Sequence, residues 1–206
     1  MTRPFEGIRI IDITHVLAGP FAAYQLAVLG VIKVEHPDEP DQSRETGTDR
    51  TLNRRNMGTS FLTQGSNKKS ITVDLKTEVG REILKKLVAR ADVLVENYRP
   101  GAFEVLGLGY EALSKINPRL IYCSISAFGQ DGVRREQTAY DHVIQATSGI
   151  MASGPAPRRL TRSRSAHRRS ITRPARWAPL RSPAPSSSAS APARASTSTS
   201  RCSALR

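Results

Sequence analysis

The stretch Gly7–Pro20, GIRIIDITHVLAGP, limits the fold more than any other part of the chain. Ile8, Ile10, Ile11 and Ile13 are apolar and β-branched, which suits a buried strand. The run stops at Thr14-His15. Ala18-Gly19-Pro20 then turns the chain, and Phe21–Leu29 carries apolar residues at helical spacing. Strand, glycine turn and helix in that order open a parallel α/β sheet. Pro20 suits the first helical turn, where its missing N–H would have no partner anyway. The free N–H groups of that turn favour an anion or a carbonyl oxygen. On local evidence the plainer reading, an ordinary βα connection, stands first, because neither GxGxxG nor GxxxxGK[ST] is present.

The pattern repeats downstream. Val31–Glu35 reads as a second strand, stopped by His36-Pro37. Asp38–Thr59 is polar, with Pro40, Gly47 and Gly58, and reads as a long surface loop. Ser70–Leu75 is a strand, and Thr77–Arg90 a helix with Thr77 as its N-cap. Val79, Ile83, Leu84, Leu87 and Val88 form one apolar stripe on that helix. Asp92–Tyr98 is a strand ending at Arg99-Pro100-Gly101. A short helix reaches Val105-Leu106, and another spans Tyr110–Ile116. Leu120–Phe128 is a strand, and Tyr140–Met151 a helix with Val143, Ile144, Ala146 and Thr147 facing inward. Strands alternating with helices imply a Rossmann-like parallel sheet with flanking helices. The expected buried set is Ile10, Ile13, Val34, Val73, Val93, Val95 and Ile121.

Charge divides the chain into an α/β domain at 1–155 and a tail at 156–206. The tail holds 12 of the 31 Lys+Arg residues and none of the 18 Asp+Glu, so nearly all of the net +13 belongs to it. It is almost entirely Arg, Ser, Ala, Pro and Thr, with Trp177 and no periodic apolar face, and is expected to be disordered. Cys123 and Cys202 are isolated, which argues against a disulfide framework. The single histidines His15, His36 and His142 argue against a metal site. No apolar run approaches the roughly 18 residues of a membrane span, and a cytoplasmic protein is expected.

Five segments together resemble one family. They are GIRIIDITHVLAGPFAAYQLAVLG, VIKVEHP, NKKSITVDLKTEVGREILKKLVARADVLVENYRPGA, LGLGYEALSKINPRLIYCSISAFGQDG and YDHVIQATSGIM. In this order and spacing they resemble the N-terminal part of the family III CoA-transferases, over about residues 4–152. The resemblance implies acyl-CoA:carboxylate CoA transfer, with an acyl-CoA and a carboxylic acid acceptor as substrates and no metal. It also implies an interlocked homodimer. Carried over residue by residue, the coenzyme A contacts would be Val16, Ala18, Gly19 and Pro20, Lys33 with His36, Asn67, Lys68 and Lys69, and Asn97 with Tyr98. Two adjacent lysines can offer point charges to phosphate. Without the family context they would read as a solvated turn. Asn97 stands at a strand's C-terminal end, where α/β ligands bind. A racemase of the same fold would carry a His-Asp pair where Tyr140-Asp141 stands, with His142 one place late.

The chain departs from the family pattern in three places. Leu29-Gly30-Val31 is two residues short, so the first helix must end early. His36 replaces a family arginine. After about Ser153 the family's aspartate nucleophile segment is missing, and Asp12, Asp41 and Asp141 are not at its position. Reading the tail's possible codons one base out of step allows Asp-Tyr-Ala-Thr-Gly-Thr-Met-Gly-Ala from Ser170/Ile171 onward, with Trp177 fixing Met and Gly. The expectation is a reading-frame shift near Ser153–Arg159, a chain inactive as written, and an impaired dimer. A real Arg/Ser-rich arm for nucleic acid would explain the charge but not the hidden motif.

Overall fold

Strand β1 (Arg9–Ile13) runs through the centre of a six-stranded sheet of order β3-β2-β1-β4-β5-β6. The structure, a computed structural model, describes residues 6–27, 29–152 and 200–203. After β1 come α1 (Ala18–Gln25), β2 (Gly30–Glu35) and a 3-10 helix, Gln42–Glu45. Helices α2 (Arg50–Arg54) and α3 (Thr59–Gly65) lead to β3 (Lys69–Thr72) and α4 (Glu78–Val88). Then follow β4 (Val93–Glu96), α5 (Ala102–Val105), α6 (Tyr110–Ile116) and β5 (Ile121–Ile125). Helix α7 (Asp141–Thr147) and a 3-10 turn, Ile150–Ala152, end the continuous part, and β6 is Ser200–Ser203.

The first five strands are parallel, as strands joined through helices must be. β1 lies between β2 and β4, so the strand order reverses beside it. β6 pairs antiparallel with β5. It is the one part of 156–206 that the structure describes, and it satisfies an edge that would otherwise leave N–H and C=O groups unpaired. The expected disorder of the rest of the tail lies outside the described residues.

Alternation along the strands divides the core. Ile11, Ile13, Val34, Leu94 and Tyr122 pack with Leu84 and Val88 of α4, Phe103 of α5 and Leu113 of α6. Ile10, Val31, Val95, Cys123 and Ile125 face Ala22 and Ala23 of α1 on the other side. Leu84, Val88 and Leu113 are wholly buried, each contributing ~1.5–3 kcal/mol. Val93 and Ile121 are only half-buried, at the starts of their strands.

Helix α1 ends early, at Gln25, as the missing residues require, and the shortened connection is a turn in which Leu26 and Ala27 N–H groups bond back to Ala23 and Tyr24. Other local expectations change: α1 already begins at Ala18, within the expected turn. The presumed surface loop 38–59 contains helical turns and three buried residues, Asp41, Ser43 and Gly58. On α4 the buried row is Gly80, Leu84 and Val88, while Val79 is 71 % exposed. On α7, Ile144 and Gln145 are buried, whereas Val143, Ala146 and Thr147 are exposed.

Candidate functional site

A cleft of about 420 Å³ opens at the C-terminal ends of β1, β4 and β5, where the strand order reverses. Open α/β sheets bind ligands at such points. Its walls are His15–Ala18 after β1, Asn97–Pro100 after β4, Ile125–Ala127 at the end of β5, and residues 135–141. The size lies within the ~300–1,000 Å³ typical of small-molecule pockets.

The β1 wall is held by side chains from elsewhere in the sheet. Asp12 Oδ1 accepts from Thr14 N at 3.0 Å. Lys33 Nζ donates to Thr14 O. Asn97 brackets the next residue, its Oδ1 accepting from His15 N at 2.8 Å and its Nδ2 donating to His15 O at 2.8 Å. Asp41 accepts from Val16 N through both oxygens, at 3.1 and 3.2 Å. Val16 itself has φ 71°, a left-handed conformation that a β-branched residue rarely adopts.

Behind this wall lies a buried charge network. Parallel pairing sets Asp12 beside Lys33. Lys68 Nζ reaches Asp12 Oδ2 at 2.8 Å and Pro20 O at 2.9 Å. Lys33 Nζ stands 3.4 Å from Asp41 Oδ2. Arg44 clasps Glu35 bidentately at 2.8 and 2.6 Å and lies over the Phe61 ring, 3.7 Å from its centroid. Burial pushes the Asp12 and Asp41 carboxyls up, but the neighbouring lysines and donors outweigh it, so both end below their usual range. Glu35 is also lowered, burial being outweighed by the Arg44 hydrogen bonds and the Asp41 N–H. Lys68 is lowered by burial, against the pull of Asp12.

Four of the expected contacts meet at the cleft: Val16, Ala18, Asn97 and Tyr98. Gly19 and Pro20 are buried behind it. A Cβ on Gly19 would lie 2.3 Å from Thr14 Cβ, so glycine there serves the close approach of α1 to β1. Lys33 and Lys68 have side chains only 2 % exposed and are occupied by carboxylates. The expected solvent-facing lysine pair is therefore Lys69 alone. His36 caps its own turn, Nδ1 accepting from Asp38 N and Glu39 N, with Nε2 3.3 Å from Asp74. Asn67, at φ 61°, donates from Nδ2 to Ala27 O. These groups organise the turns around the site rather than its wall.

Other residues stand at or behind the cleft that are not among the expected coenzyme contacts. His15 Nε2 lies 2.7 Å from the Tyr98 hydroxyl, with the rings edge to face. Burial, then the positive charge of Lys33, pushes His15 below its usual range, so the ring is neutral at pH 7. Burial and Glu96 push the Tyr98 hydroxyl up to about 12. Ser126 Oγ, on the β5 wall, is buried with no protein partner among the described residues. Asp41 was hidden inside a polar stretch; the legible signal was Asp41-Gln42-Ser43, an Asp poised to cap a turn, as its carboxylate does for Ser43 N at 2.9 Å. A second cavity of about 450 Å³ lies beneath α5 and α6, lined by Glu96, Tyr122 and Ser124 among others. Burial pushes Glu96 up to about 7, despite hydrogen bonds from Ser124 and from Tyr98 N at 2.7 Å.

The description CoA-transferase family III belongs to the family model that matches residues 5–166, beyond the Met151 at which the motifs read from the sequence stop. The Mus musculus succinyl-CoA:glutarate CoA-transferase is 47 % identical over 156 residues, covering 74 % of this chain and 35 % of that protein. The Acetobacter aceti acetyl-CoA:oxalate CoA-transferase is 46 % identical over 156 residues, covering 75 % and 39 %. A solved CAIB/BAIF family protein from Brucella suis superposes with a TM-score of 0.77 at 33 % identity, covering 87 % of this chain and 48 % of that one. The chain thus spans little more than a third of the length of these curated relatives.

Proposed function

The chain belongs to CoA-transferase family III, and from that premise we propose that it is the coenzyme-facing α/β part of an acyl-CoA:carboxylate CoA-transferase. The observation that carries the reading is the cleft at the reversal of strand order, walled by Val16, Ala18, Asn97 and Tyr98. Tyr98 offers an aromatic face, and Ser126 Oγ an unspent hydrogen-bonding group. Arg99 on the rim supplies positive charge for phosphates, with Arg135 beside it in an ion pair to Glu136 at 2.7 Å. Lys33 and Lys68 act one layer behind, by fixing the backbone that meets the ligand.

In such a reaction an aspartate carboxylate attacks the thioester carbonyl and expels CoA thiolate, leaving a mixed anhydride. The thiolate then attacks the aspartyl carbonyl of the anhydride and releases the donor acid, leaving an aspartyl thioester. The acceptor carboxylate attacks that thioester and expels thiolate, which takes the acceptor's acyl group from the new anhydride and frees the aspartate. Dividing one acyl transfer in this way makes each step easier. On this reading Asp12, Asp41 and Asp141 stand away from the nucleophile's position in the family pattern. The proposal is therefore CoA binding without turnover by the 206-residue sequence, with its last quarter read as a shifted frame.

Titration calorimetry of CoA into the purified chain tests this. Binding should be measurable and weaken with added salt. Asn97→Ala, which frees both ends of the His15 peptide, should weaken it about tenfold or more. Absence of binding, or CoA transfer by the 206-residue chain itself, would overturn the corresponding half of the reading.

A further inference from the structure

Resting on the cleft as a CoA site, we propose that Asp41 is a positioning residue: it holds Val16 in its left-handed conformation and so fixes the turn that enters α1. The three residues after β1 are tied down unequally. Thr14 is held by Asp12 and Lys33, and His15 by Asn97. Val16 N–H points between the two oxygens of Asp41. Val16 is also the residue least suited to its backbone, with φ 71° and a branched Cβ. A strained residue persists only where its surroundings over-determine it.

Asp41 is equipped for that task. It is 1 % exposed, and its carboxylate is fixed by Ser43 N at 2.9 Å, Ser43 Oγ at 2.7 Å and Lys33 at 3.4 Å. Its own N–H donates to Glu35 Oε1 at 3.2 Å, tying it back to β2. The acceptor is thus as rigid as the sheet. Without it, Val16 relaxes toward negative φ and swings Leu17 and Ala18, both cleft residues, out of register with Asn97 and Tyr98. The ligand must then supply the ordering itself, and affinity falls without loss of a direct contact.

Glycine adopts positive φ without strain, so a glycine at position 16 has no need of the clamp. This distinguishes positioning from general support. Asp41→Asn should weaken CoA binding about tenfold in the wild-type background and less than about twofold in a Val16→Gly background. Amide exchange should accelerate at Val16 in Asp41→Asn while Leu84, in the core of α4, keeps its protection. Equal losses of affinity in both backgrounds, or unchanged exchange at Val16, would overturn the proposal. If wild type does not bind CoA, the CoA reading falls and exchange at Val16 alone decides the role of Asp41. Should Asp41→Asn not fold, Asp41→Glu keeps the charge facing Lys33 but displaces the acceptor, and the same readouts apply.

Discussion

Glu96 closes β4 with a carboxyl group that the fold makes hard to ionise. Its folded-state value of about 7 stands above the ordinary 4.5, so the native chain keeps a proton that the unfolded chain has lost. Stability should therefore fall as pH rises from about 4.5 to 7, by roughly 3 kcal/mol. Asp12, Asp41 and Glu35 have the opposite sign. Their lowered values add stability that is present above about 4 and lost as pH falls through them. Urea unfolding across pH should show the decline between about 4.5 and 7, opposed in part by His15, whose lowered value makes stability rise toward pH 6.5, and Glu96→Gln should remove the decline. Lys68→Met leaves Asp12 buried opposite nothing but Lys33 and should cost about 3–5 kcal/mol. Replacing both partners, Asp12→Leu with Lys68→Met, should cost much less in the same measurement, because no buried charge is stranded.

Helix α4 marks how far the elements were legible. Its limits follow from Thr77, whose Oγ1 accepts from Gly80 N at 3.0 Å, and from apolar spacing. Its inward face did not follow from counting apolar residues, because Gly80 occupies the closest approach. A Cβ there would sit 1.9 Å from the Asp74 carbonyl oxygen, so the helix turns Gly80 inward and carries Val79 out to solvent. Gly80→Ala should lower stability by about 2 kcal/mol or more, despite alanine's helix preference of ~1 kcal/mol. Val79→Ser should change it by less than about 0.5 kcal/mol; thermal melts separate the two. The parallel strands were legible for a simple reason: β-branched runs such as Ile10–Ile13 need burial on both faces. The cleft was legible in part. Asn97 and Tyr98 stand where a strand ends, which pattern reveals, whereas the burial of Lys33 and Lys68 depends on partners far away in the chain, which pattern does not.

At the scale of the molecule, apolar side chains are left facing water. Val105 is 88 % exposed, Val133 100 % and Tyr140 74 %, with Val143 of α7 at 42 %. We expect the purified 206-residue chain to self-associate in a concentration-dependent way. Light scattering should detect this, and Tyr140→Ser combined with Val143→Ser should reduce it.

The ties on the turn after β1 also order events in time. His15 is fastened by a residue 82 positions away and Val16 by one 25 positions away. Such closures need β2 and β4 docked first, so this wall should be among the last parts to gain amide protection on refolding and the first to lose it. A ligand held there should act as a brake on unfolding and leave the rate of folding nearly unchanged, because the grip it needs does not yet exist when the chain crosses its barrier.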